Sequence, residues 1–86
     1  MKLILAILRA EHGDQVVETL VAHGYRVTRV ATTGGFLRQG NTTLLVGVED
    51  EQLEAALAAM KAASGEQSTG THGIAFVIDA LQAERI

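Results

Sequence analysis

The residues of this 86-residue chain that could do chemistry concentrate in one stretch, YRVTRVATTGGFLRQGNTTLLVGVED, over residues 25–50. There Thr32, Thr33, Gly34, Gly35, Gly40, Asn41 and Thr42 surround Phe36 and Leu37. Backbone N–H groups brought together at glycines that tolerate positive φ form an anion-binding concavity, and threonine hydroxyls add donors to it. Arg26, Arg29 and Arg38, three of the seven basic residues, place positive charge around the same loop. Phe36 and Leu37 at an exposed loop tip cost solubility unless a flat base, a partner protein or a neighbouring subunit covers them. The plainer alternative is a glycine- and threonine-rich turn between two strands, with arginines that are solvated edge residues.

No catalytic constellation accompanies this loop. Cysteine is absent, and no HExxH or glycine-lysine phosphate loop is present. The histidines are His12, His23 and His72. On a continuous helix His12 and His23 would stand about 16 Å apart along the axis, too far to share a metal within one chain. A metal site assembled across subunits is the remaining use for them. Glu49, Asp50 and Glu51 read as helix-start acids, and Asp79 and Glu84 as strand-end and tail acids. The chain is expected not to be an enzyme and to hold no cofactor or metal.

Composition bounds the partners. A formal charge of −3 and a pI near 5.5 argue against a binder of polymeric nucleic acid, which needs a basic face for phosphates. A free nucleotide remains compatible, because a small anion responds to local charge. The apolar run of residues 3–8 is far short of the roughly 20 residues that span a bilayer. A cytoplasmic protein without membrane insertion is expected, forming one domain over residues 1–86.

The elements that must position the loop can be read from periodicity. KLILAILR at residues 2–9 predicts a strand, and Val16, Val17, Leu20 and Val21 predict a helix over residues 14–23 that stops at Gly24. Residues 25–31 and 42–48 predict a hairpin with a long tip. Asp50 is the expected cap of a helix carrying Leu53, Ala56, Leu57, Met60 and Ala63 on one stripe. IAFVID at residues 74–79 predicts a last strand. The order βαββαβ gives an α+β, ferredoxin-like sandwich with both helices on one face of the sheet. Strands 1 and 4 are nevertheless apolar at consecutive positions, the pattern of strands buried on both sides. Self-association covering the bare face is therefore expected.

The string ATTGGFLRQGNTTLLVGVED at residues 31–50, preceded by Arg26 and Thr28, closely resembles the PII-like cyclic-di-AMP receptor family, as does the ending FVIDALQAERI at residues 76–86. The resemblance implies a PII-like homotrimer with cyclic-di-AMP, or another adenine nucleotide, in a cleft between neighbouring subunits. It matches Arg26 and Thr28 to contacts with the ligand's polar groups, Gly35, Phe36 and Leu37 to an adenine pocket, and Asn41 and Gly47 to the remaining polar and backbone contacts. The chain departs from the family in a short second connection, residues 64–73, without proline or aromatic residues, and in Ala83, where an aromatic is more usual. That connection also lacks lysine and arginine, so it does not offer the ATP phosphate contacts of classical nitrogen-regulatory PII proteins. Two functions follow as expectations. One is a non-enzymatic sensor that binds a cyclic dinucleotide through residues 32–40 and the adjoining strands and signals to an unknown protein target. The other is a PII-like interaction module that has lost nucleotide binding with its shortened loop.

Overall fold

The computed structural model describes residues 1–30, 41–65 and 73–86. Expectations for Gly35, Phe36, Leu37, Arg38 and His72 lie outside the described residues, as does most of the second connection. The chain runs β1 (Lys2–Arg9), α1 (Ala10–Ala22), β2 (Arg26–Val30), β3 (Asn41–Val48), a 3₁₀ turn (Asp50–Gln52), α2 (Leu53–Ala63) and β4 (Gly73–Asp79). This is the predicted βαββαβ order.

The strands form one sheet in the order β2-β3-β1-β4, with every neighbouring pair antiparallel. That is the ferredoxin-like arrangement. The central pair, β1 and β3, is in register from Lys2 opposite Val48 to Arg9 opposite Asn41. Because side chains alternate along a strand, Ile4, Ala6 and Leu8 share a face with Leu44, Val46 and Val48. Val16 and Leu20 of α1 and Ala56 and Met60 of α2 complete the core on that face. Val16 and Leu20 are fully buried. Burying a side chain of this kind contributes about 1.5–3 kcal/mol.

The opposite face carries Leu3, Leu5 and Ile7 of β1 beside Ile78, Phe76 and Ile74 of β4. The three β4 residues are 46%, 47% and 53% exposed. No described helix covers them. The consecutive apolar run of β4 therefore does not mark a strand buried on both sides within the single chain. Among the described residues β4 is an edge strand paired only with β1, and all seven of its residues are exposed.

Two helix termini correct the sequence reading. Helix α1 begins at Ala10, directly out of β1, and not at residue 14. Its N-cap, Arg9, makes no side-chain capping bond, so the usual Ser, Thr, Asp or Asn signal is missing. Gly13 sits buried in this first stretch, where an added Cβ would lie 3.1 Å from Thr42 Oγ1, so glycine lets the helix approach β3. At the far end Gly24 has φ 88°, the Gly24 N–H donates to Val21 O and the Tyr25 N–H to Leu20 O. These two bonds form a Schellman stop, as expected of a glycine after the last helical turn.

The N-cap before α2 is Glu49, not the expected Asp50. A capping box forms in which the Gln52 backbone N–H donates to the Glu49 side chain and the Glu49 N–H donates to Gln52 Oε1 at 2.9 Å. Asp50 is engaged elsewhere, accepting from the α-ammonium of Met1 at 2.9 Å. Hydrogen bonding and charge hold the Asp50 carboxyl below its ordinary value and the ammonium above its own. Lys2 pairs with Asp79, and the Ala80 N–H donates to Met1 O. The start of β1 is thereby tied to both the 3₁₀ turn before α2 and the end of β4.

Candidate functional site

The register of β2 on β3 sorts the expected site residues. Arg26 stands opposite Gly47 and Thr28 opposite Leu45. Directly paired residues project to the same face. Arg26, Thr28, Asn41 and Gly47 consequently all occupy the face away from the helices. Arg29 points the other way and donates to Asp14 of α1 at 2.9 Å. The arginines do not act as one cluster at the loop, because alternation sends Arg29 to the helix side. Arg26 lies at the end of β2 remote from residue 31, about 13 Å along the strand from Val30. It has no ion-pair partner among the described residues.

Asn41 opens β3 opposite Arg9. It is separated from Gly47 by six residues, about 20 Å of strand. The fold thus brings Arg26, Thr28 and Gly47 together and leaves Asn41 at the other end of the same face.

At the Arg26 end lies an open cavity of about 250 Å³, walled by Gly24, Tyr25 and Arg26 on one side and by Met1, Gly47, Val48, Glu49 and Gln52 on the other. Gly47 has no conformational reason to be glycine, since the positive-φ glycines among the described residues are Gly24 and Gly65. A Cβ added at Gly47 would meet nothing within 4 Å. Its missing side chain leaves room next to an exposed guanidinium. Gly73 is the contrast, because a Cβ there would fall 2.4 Å from Ile7 O.

The cavity offers a cation, backbone groups at glycines and the flat ring of Tyr25, which is half-buried against the core and stacks on His23 with ring centroids 6.3 Å apart. These groups bind and orient. No group of three His, Cys, Asp or Glu residues that could hold a metal occurs among the described residues. His23 Nδ1 lies 2.8 Å from Thr19 O, and His12 lies beside Glu11 at 3.6 Å.

The family model for the cyclic-di-AMP receptor matches residues 1–79. The chain belongs to the cyclic-di-AMP receptor family. Receptors of this family are non-catalytic, and the chain is not an enzyme. The fold is also similar to the crystal structure of a functionally unknown protein from Pediococcus pentosaceus ATCC 25745, with a TM-score of 0.79 and 28% identity over 99% of this chain and 96% of that one. Among the described residues, no helix of this receptor-family member is long and apolar enough to cross a membrane.

Six cavity residues were not singled out as ligand contacts from the sequence: Met1, Gly24, Tyr25, Val48, Glu49 and Gln52. The spacing of Glu49 and Gln52 is a capping-box signature, and it held the signal that Gln52 folds back toward the end of β3. Thr43 is a further residue of the open face, set between Ile7 and Val30. It is only 8% exposed, and its hydroxyl has no hydrogen-bond partner among the described residues.

Proposed function

We propose that this chain is a nucleotide-sensing signalling protein of the cytoplasm that assembles as a homotrimer and binds cyclic-di-AMP between subunits. Arg26 and Thr28 bind the ligand's phosphates and hydroxyls, Gly47 leaves room for it, and Gly35, Phe36 and Leu37 line an adenine. Asn41 completes the polar contacts. The observation that carries this reading is Gly47: a glycine within β3, one residue from its end, needed by neither φ nor packing, directly opposite an exposed Arg26 at the wall of a cavity. A cavity of about 250 Å³ suits one nucleotide half rather than a whole dinucleotide. The separation of Gly47 from Asn41 further favours a site completed by a second subunit. Binding changes the surface presented to a protein target, which requires the ligand to favour one conformation over another.

The shortened connection at residues 64–73 favours a second reading, an interaction module without nucleotide. Thermal unfolding separates the two. A ligand at 100 times its Kd adds about 2.7 kcal/mol to the stability of a native protein that binds it. Cyclic-di-AMP should therefore raise the melting temperature, and an interaction module would show no shift with it.

A further inference from the structure

The cavity beside Arg26 has two walls of different electrostatic character. Arg26 and the N-terminal part of β2 supply the cationic wall. The facing wall is the turn from Glu49 to Gln52 with Met1 beside it; its one acid lining the cavity is the exposed Glu49, while Asp50 is taken by the Met1 α-ammonium at 2.9 Å. Within that turn Gln52 is oriented by its own cap, because the Glu49 N–H must donate to an acceptor and takes Gln52 Oε1 at 2.9 Å. The other end of the carboxamide, Nε2, is a pure donor. No hydrogen bond occupies Nε2 among the described residues.

We infer that Gln52 is a ligand-contacting residue that fixes the direction in which a nucleotide enters the cavity. Phosphate sits against Arg26, and the Gln52 amide donates to a neutral acceptor of the nucleoside, a ring nitrogen or a sugar oxygen. The Glu49 carboxylate beside it repels a phosphate from the Gln52 wall and leaves such neutral acceptors unpenalised. This inference rests on the nucleotide reading above and adds to it a polarity and a residue.

The test compares calorimetric titrations of the parent, Gln52→Glu, Gln52→Ala and Arg26→Ala with cyclic-di-AMP at two salt concentrations. Gln52→Glu keeps the oxygen that accepts from the Glu49 N–H, so the cap survives while the donor is lost. Melting temperatures without ligand verify that. Loss of one neutral hydrogen bond should weaken binding about three- to tenfold in Gln52→Ala. The added charge should make Gln52→Glu weaker still. Gln52→Ala should keep the parent's salt dependence, whereas Gln52→Glu, which adds a repulsion that salt screens, and Arg26→Ala, which removes an attraction, should both flatten it. Parent-like affinity in both Gln52 variants would overturn the inference and leave the nucleotide reading standing. So would a flattened salt dependence in Gln52→Ala equal to that of Arg26→Ala, since it would place phosphate on the Gln52 wall. Absence of binding by the parent would overturn the nucleotide reading itself, and this inference with it.

Discussion

At Gly47 the demands of fold and site diverge, which makes the residue informative. Glycine in a strand interior costs roughly 0.5–1 kcal/mol through backbone entropy, and here no clash or positive φ compensates. Gly47→Ala should therefore leave the protein as stable as the parent or raise its stability by about that amount, read from urea unfolding. Gly47→Val should fold equally well and lose nucleotide binding, because its methyls occupy the space beside Arg26. A destabilised Gly47→Ala would show that the glycine serves the strand and not the cavity. Arg26→Ala should weaken cyclic-di-AMP about ten- to hundredfold, the range for a hydrogen bond to a charged group, with no change in the unliganded melting temperature. Arg29→Ala, which breaks the Asp14 contact on the helix side, should leave affinity unchanged.

The elements that hold these residues are fixed by close approaches and caps. Gly73→Ala should destabilise the fold by about 1–3 kcal/mol in urea unfolding, because its Cβ would fall 2.4 Å from the Ile7 carbonyl oxygen in the β1–β4 pairing. The Met1–Asp50 pair gives a pH signature. A depressed carboxyl stabilises above its unfolded-state value and loses that effect as pH falls through the folded one. A raised ammonium stabilises below its unfolded-state value and loses that effect as pH rises through the folded one. The pair therefore supports the fold between about pH 4 and pH 8 and fades outside that window. Asp50→Asn should melt below the parent at pH 6 and converge with it at strongly alkaline pH. Strands β1 and β3 were legible to within a residue because their apolar runs are strong and bounded by glycine or charge. The start of α1 was not, because Gly13 and an uncapped Arg9 carry no helix signal. Asp50 looked like the cap by residue type, yet the Glu49–Gln52 box won the turn while Met1 took the aspartate. The partnership of Arg26 with Gly47 lies 21 positions apart in sequence and became visible only with the β2–β3 register.

On the scale of the whole molecule, the ferredoxin-like sandwich leaves Ile74, Phe76 and Ile78 beside Leu3, Leu5 and Ile7 on a face that no described helix covers. Leu81, just past the end of β4, is 98% exposed. In the proposed trimer these residues are the contact between subunits. Phe76→Glu should accordingly shift the sedimenting species from trimer to monomer, and with it abolish a ligand site that needs two subunits. A Phe76→Glu protein that remains trimeric would place the subunit contact elsewhere. The measurement that bears most directly on function is a calorimetric titration of the parent protein with cyclic-di-AMP, against cyclic-di-GMP, ATP and cyclic AMP. Selective, saturable binding of cyclic-di-AMP at one site per subunit is the expected result. No heat with cyclic-di-AMP, or equal affinity for all four nucleotides, would contradict the assignment of this chain as a cyclic-di-AMP sensor.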